Sequence, residues 1–162
     1  MTSGLDYPRA DVLFEMDYVL DLGGVRVQLS WLGPTHTSGD TAIFVEGDNV
    51  LFAGDLAMKQ LLPAFASPYG DGTVWLASLD KLEAMRPKVV LGSHGGMSDA
   101  AMIVAYREVL KAIGVRIAEL KAQGKSETET GKQLTSEFAT KYPDWAVPVS
   151  IPAAVAVYYK MH

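Results

Sequence analysis

Three side chains in this sequence combine metal-binding chemistry with a position where the backbone turns: His36, Asp55 and His94. His36 lies in Gly-Pro-Thr-His-Thr-Ser-Gly-Asp, Asp55 closes Val-Leu-Phe-Ala-Gly-Asp, and His94 lies in Gly-Ser-His-Gly-Gly. Each follows a run with strand character and has Gly nearby, which lets backbone and ligand approach closely. Two imidazoles and a carboxylate suit Zn²⁺, which takes His nitrogen at about 2.0–2.1 Å and carboxylate oxygen at a similar distance. The residue types leave a second reading open. A His in a turn is often a hydrogen-bonded loop residue, and an Asp after Gly is often a helix cap or turn residue. The remaining histidine, His162, is the last residue and reads as a tail.

Other chemistries lack their residues. With no Cys, disulfides and thiolate metal sites are excluded, and the compartment, cytoplasmic or periplasmic, stays open. No G-x-S-x-G elbow and no Gly-rich phosphate loop occurs. A net charge of −5 with no Lys/Arg cluster argues against nucleic acid as a partner. No apolar run of about 18 residues is present, so no membrane span is expected. The opening residues lack the basic and apolar regions of a secretion signal.

The elements that must position the three residues are those of a single α/β domain over 1–162, with 1–11 as an extended lead-in. The balance of 49% hydrophobic and 20% charged residues is that of an ordinary globular chain. Residues 12–22 suit one or two short strands, and Asp21-Leu22-Gly23-Gly24 suits a hairpin turn. Residues 25–32 alternate, with Val25, Val27, Leu29 and Trp31 facing one way, as in a half-buried strand near a sheet edge. Residues 41–45, 50–53 and 88–91 are strands apolar on both faces, the first two joined at Gly47-Asp48-Asn49.

Four helices are predicted. The first covers 73–85 and stops before Pro87. The second covers 98–123, capped by Ser98 or Asp99, with Met102, Tyr106, Leu110, Ile113, Ile117 and Leu120 forming its apolar stripe. The third starts near Ser126 with a capping box to Glu129 and runs to about Lys141. The fourth runs from Pro152 to about Lys160. Asp40 is expected to order the His36 loop, Asp71 to be a turn residue, and Trp31, Trp75, Met97 and Met102 to be core. Lys59 and Tyr69, in the loop after Asp55, are either surface or substrate-facing.

Strands apolar on both faces need a layer on each side. The four helices can cover one face of the sheet, and nothing in the sequence covers the other. Several hundred Å² of bare apolar sheet would forfeit roughly 10 kcal/mol at about 25 cal/mol per Å². Another chain, or a second copy of this one, is therefore expected to supply that layer.

The stretch GPTHTSGDTAIFVEGDNVLFAGD followed by VVLGSHGG resembles the second half of the metallo-β-lactamase superfamily. The tail through Tyr142-Pro143-Asp144-Trp145 to the last helix also resembles hydrolase-type members. The resemblance implies half of a four-layer αβ/βα sandwich, a mixed sheet with helices on one face. It implies that His36 is the third His ligand of a first metal, Asp55 the bridging carboxylate, also able to hold the attacking water, and His94 a ligand of the second metal. It further implies two Zn²⁺ in the complete site and a metal-bound hydroxide attacking an ester, amide or thioester bond of a small-molecule substrate. The family's H-x-H-x-D-H motif is missing, and with only three His it cannot be rebuilt from this chain. The expectation is thus a truncated or cleaved C-terminal half, with weak or absent Zn²⁺ occupancy and little hydrolase activity alone. A different class of reading is a non-catalytic half-sandwich module that dimerises through its open sheet face.

Overall fold

A computed structural model describes residues 9–146 and 150–161. Six strands form one sheet whose spatial order is the chain order: β1 (Asp17–Asp21), β2 (Arg26–Trp31), β3 (Thr41–Val45), β4 (Val50–Gly54), β5 (Val89–Gly92) and β6 (Met97–Ser98). Every neighbouring pair is antiparallel except β4 and β5, which are parallel. A parallel pair requires a crossover, and α1 (Gly72–Ala84) supplies it. Then follow α2 (Ala101–Ala122), α3 (Glu127–Lys141) and α4 (Ile151–Lys160).

The turns and caps follow from residue type. Gly23 and Gly24 take positive φ in the β1–β2 hairpin, whose Leu22 N–H donates to the Val25 carbonyl at 2.9 Å. Ser126 and Glu129 form the expected capping box of α3. Asp71 proves to be more than a turn residue: its carboxylate caps α1, accepting from the backbone of Thr73 and Val74 at 2.7 and 3.1 Å. Ser98 does not cap α2, because it lies in β6, a strand too short to read from sequence. Asp99 instead accepts from the Ala101 N–H at 2.9 Å. The first strand starts only at Asp17, so 12–16 lie outside it.

All four helices lie on one face of the sheet. There Phe44, Leu51 and Val90 sit in register across β3, β4 and β5 and are buried under α1 and α2. The stripe of α2 from Met102 to Leu120 is buried as its spacing requires. Tyr158 of α4 locks the layer together. Its ring lies where a Cβ on Gly72 or Gly114 would fall 2.0 and 3.0 Å from its hydroxyl, so a larger residue at Gly72 would displace the Tyr158 ring and one at Gly114 would press on it.

Among the described residues nothing covers the other face. Tyr18, Leu29, Ile43, Phe52, Leu91 and Met97 occupy one continuous row across all six strands, and Leu20, Val27, Val45, Val50 and Val89 a second row across five. Ile43 is 37% exposed, Phe52 44% and Met97 65%. Met97 is therefore not core, and Trp31 is half-buried on this same face, outside the core that holds Trp75. Among the described residues no helix is long and apolar enough to cross a membrane.

Ion pairs tie the helices at their solvent side. Arg116 of α2 donates through Nε and Nη2 to the two carboxylate oxygens of Glu137 on α3, both at 2.8 Å. This fork, with help from Gln133, holds the Glu137 carboxyl down at about 2. Glu137 thus binds its proton less readily folded than unfolded, where the value is about 4.3. The contribution is complete above that unfolded value and is lost as pH falls from about 4.3 towards about 2. Glu137→Gln should cost about 0.5–1 kcal/mol in urea melts at pH 7 and much less at pH 3. Equal losses at the two pH values would refute the assignment.

Candidate metal centre

Three strands aim their C-terminal ends the same way. Two antiparallel steps carry β2 into β4, and β5 is parallel to β4, so β2, β4 and β5 share one direction. The loops bearing His36, Asp55 and His94 therefore all leave the same end of the sheet, which is where α/β proteins place ligands.

The His36 loop is closed by Asp40. Its carboxylate accepts from the Thr35 hydroxyl, from the Thr37 N–H at 2.8 Å and from the Thr37 hydroxyl at 2.6 Å. These bonds hold His36 between two anchored threonines, as expected of Asp40. The ring is fixed separately. A carbonyl can only accept, so His36 Nδ1–H donates to the Ala64 carbonyl at 2.5 Å. In the neutral tautomer that leaves the Nε2 lone pair free, as a metal-ligating histidine requires. The His36 carbonyl in turn accepts from the Ala66 and Ser67 N–H groups at 2.9 and 3.2 Å, binding the long loop to the short one.

Asp55 and His94 meet across the parallel pair. His94 Nε2 lies 3.8 Å from Asp55 Oδ1. Two ligands on one tetrahedral ion with bonds of about 2.0–2.1 Å stand about 3.3 Å apart, so a small movement brings this pair to ligand spacing. The Ser93 hydroxyl donates to the same Asp55 Oδ1 at 2.5 Å. The pair is accessible, with the His94 side chain 65% and the Asp55 side chain 32% exposed. The arrangement stops short of a full site, because among the described residues no three His, Asp or Glu side chains converge to hold an ion. The residues fit part of a Zn²⁺ centre, one imidazole–carboxylate pair and one pre-oriented imidazole.

Trp75 underlies both parts. It is fully buried in α1, its indole N–H donates to the Leu56 carbonyl at 2.9 Å, and its ring meets the His36 ring edge-on at 6.2 Å. One face of α1 thereby supports the Asp55 turn and the His36 ring. Tyr106 packs beside it with its ring tilted by 45° at 5.9 Å, and its hydroxyl pKa is raised well above the usual value by burial, with Asp55 and Asp40 adding to the effect. The roles of Trp75, Ser93 and the Ala64 carbonyl had no sequence signal beyond apolar burial or loop position. His162 lies outside the described residues.

A cleft of about 260 Å³ opens beside the His94 loop, between Met58, Lys59 and Gln60 on one side and Met102 and Trp145 on the other. Lys59 is one of its lining residues, whereas Tyr69 is 79% exposed and lines none of the clefts described. A larger groove of about 490 Å³, lined by Glu127, Gly131, Lys132 and Pro152, belongs to α3 and α4, which carry none of the three candidate ligands.

Comparison with known proteins bears on the fold and the family. A crystal structure of a metallo-beta-lactamase family protein from Thermus thermophilus superposes on 95% of this chain and 50% of its own, with 24% identity and a TM-score of 0.66. An archaeal metallo-beta-lactamase superfamily protein from Sulfolobus tokodaii matches 63% of this chain and 39% of its own at 29% identity and a TM-score of 0.51. A metallo-beta-lactamase from Pontibacter korlensis matches 62% and 48% at 23% identity and a TM-score of 0.55. The chain thus spans half or less of the length of each of these proteins. No curated protein sequence matches it. The family model for the metallo-beta-lactamase superfamily matches residues 3–94, a span that includes His36, Asp55 and His94, and the chain belongs to that superfamily.

Proposed function

We propose that this chain carries one half of a zinc-dependent hydrolase site, with His36, Asp55 and His94 as its contribution to two ions. The observation that carries the reading is the pairing of Asp55 with His94 at 3.8 Å across the parallel strands, at the sheet end that also bears His36. Zn²⁺, when bound, supplies Lewis-acid activation of water for cleavage of an ester, amide or thioester bond. The chain's own groups do the rest. Ala64 sets the tautomer of His36, Asp40 holds its loop, and Asp55 offers the carboxylate that positions the attacking water. The substrate is a small molecule, and the cleft beside Lys59 is suited to its apolar part, with Met58, Met102 and Trp145 as lining.

The remaining ligands come from the layer that covers the bare sheet face, which is either a complementary N-terminal half or a second copy of this chain. A catalytic Zn²⁺ needs three protein ligands, and here each ion would find two at most. The expected result is little ester hydrolysis by the purified chain with Zn²⁺, and turnover when a polypeptide carrying an H-x-H-x-D-H half is supplied. Asp55→Asn should then remove that turnover by about a hundredfold or more. Full turnover by the chain alone would overturn the half-site reading.

A second reading is favoured by the two uninterrupted apolar rows: a module that dimerises through this face and performs no catalysis. It requires a twofold-symmetric dimer and no gain of activity on adding the other half. A monomeric particle in light scattering at micromolar concentration would exclude it.

A further inference from the structure

Ser93 stands out among the residues around the candidate ligands, because both of its hydrogen-bond donors are spent on the neighbouring strand end. Its backbone N–H donates to the Gly54 carbonyl at 2.9 Å, and its hydroxyl to Asp55 Oδ1 at 2.5 Å. The two loops are pressed together on either side of this clamp. A Cβ on Gly92 would lie 2.7 Å from the Ala57 carbonyl oxygen, and one on Gly95 2.2 Å from that of Lys59. Backbone therefore packs directly on backbone, and the His94 loop cannot slide along the Asp55 loop.

From this we infer that Ser93 is a positioning residue for the Asp55 carboxylate, fixing its plane and its separation from His94 before any metal arrives. The inference rests on the half-site reading above. A carboxylate oxygen has two lone-pair directions. Ser93 occupies one on Oδ1, which leaves the other on an atom that lies 3.8 Å from His94 Nε2, and leaves Oδ2 without a hydrogen bond among the described residues, open to a second ion or a water. Without the hydroxyl, the carboxylate can rotate about its own bond, because no other hydrogen bond to the Asp55 side chain is present among the described residues. A ligand that must be ordered at the moment of binding holds its metal less tightly.

The chain's few histidines make the test direct. Imidazole C–H signals of His36 and His94, assigned with His36→Ala and His94→Ala, are followed by NMR during a Zn²⁺ titration of the chain. The same titration is run on Ser93→Ala and Ser93→Thr, with metal-free melting recorded for each. We expect Ser93→Ala to weaken Zn²⁺ at His94 by about tenfold, with metal-free melting shifted by no more than about 2 °C. Ser93→Thr, which keeps the hydroxyl, should bind as the native chain does. Unchanged affinity in Ser93→Ala overturns the inference and leaves the half-site reading standing. So does a loss of affinity that tracks a loss of melting temperature and is not rescued by Thr. A native chain whose His94 signal ignores Zn²⁺ overturns the role of Ser93, whereas the half-site reading, which expects weak or absent occupancy in this chain alone, stands or falls on turnover when the complementary half is supplied.

Discussion

Replacing Trp75 with alanine is expected to cost about 3–5 kcal/mol, a large share of the roughly 5–15 kcal/mol that holds a domain together. Trp75 is fully buried, and three aromatic neighbours pack on it: Phe65 and His36 meet its ring edge-on at 5.0 and 6.2 Å, and Tyr106 lies tilted against it at 5.9 Å. Alanine would leave a cavity at the junction of α1, α2 and the loops that carry His36 and Asp55, and would strand the Leu56 carbonyl that accepts the indole N–H. Trp75→Phe separates these effects. It keeps most of the ring packing and loses the hydrogen bond, so a smaller loss of about 1–3 kcal/mol is expected. Urea melts followed by circular dichroism give both values. An alanine variant that melts within 1 kcal/mol of the native chain would show that the aromatic cluster relaxes around the gap. The imidazole signal of His36 should move in both variants, because its ring rests on this indole.

The position of Trp75 in the core was legible in the sequence, and its place under the His36 and Asp55 loops was not. Periodicity reports which side of an element is apolar, and α2 shows how well that works. Its stripe from Met102 to Leu120 is buried throughout. Periodicity does not report which layer the apolar side meets. In β2 the alternation of Val27, Leu29 and Trp31 was plain, yet these residues point to the bare face while Ser30, 2% exposed, points towards the helices. Met97 failed in the same way, an apolar residue on the open row rather than in the core. The two-residue β6 carries too little pattern to be seen at all. At the site, His36, Asp55 and His94 were visible as residue types at strand ends. The bonds from Ala64 and Ser93 depend on distant loops meeting, which no local spacing encodes.

Introducing lysine at Ile43 and Phe52 together should abolish association through the sheet and leave the fold intact. The two residues face each other across β3 and β4 at the centre of the longer apolar row, with Leu29 and Leu91 on either side. Both are more than a third exposed in the single chain, so lysine there disturbs little of the helical core. Burial of each side chain against a partner contributes about 1.5–3 kcal/mol, and two desolvated ammonium groups oppose it further. A weakening of at least a hundredfold is expected, at 1.4 kcal/mol for each factor of ten. Light scattering of the native chain should show a particle larger than one copy, unless the complementary half is bound. The double variant should scatter as one copy with unchanged far-ultraviolet circular dichroism. Retained association would place the contact elsewhere, and loss of secondary structure would show that these side chains support the sheet itself.

The notch that Gly72 and Gly114 form around Tyr158 also has a consequence for biosynthesis. A ribosome delivers the sheet first, since all six strands lie before residue 99, and the helix that closes the opposite side arrives late. Tyr158, its hydroxyl pushed up to about 12 chiefly by burial, reaches that notch only after α1 and α2 have been made. Until α2 emerges, the nascent sheet shows solvent apolar surface on both sides, and among the described residues nothing covers the second side even afterwards. Such an intermediate is the kind that molecular chaperones retain and that crowded ribosomes aggregate. Yield in the cell should accordingly follow chaperone supply and growth temperature more steeply than the stability of the finished chain would suggest.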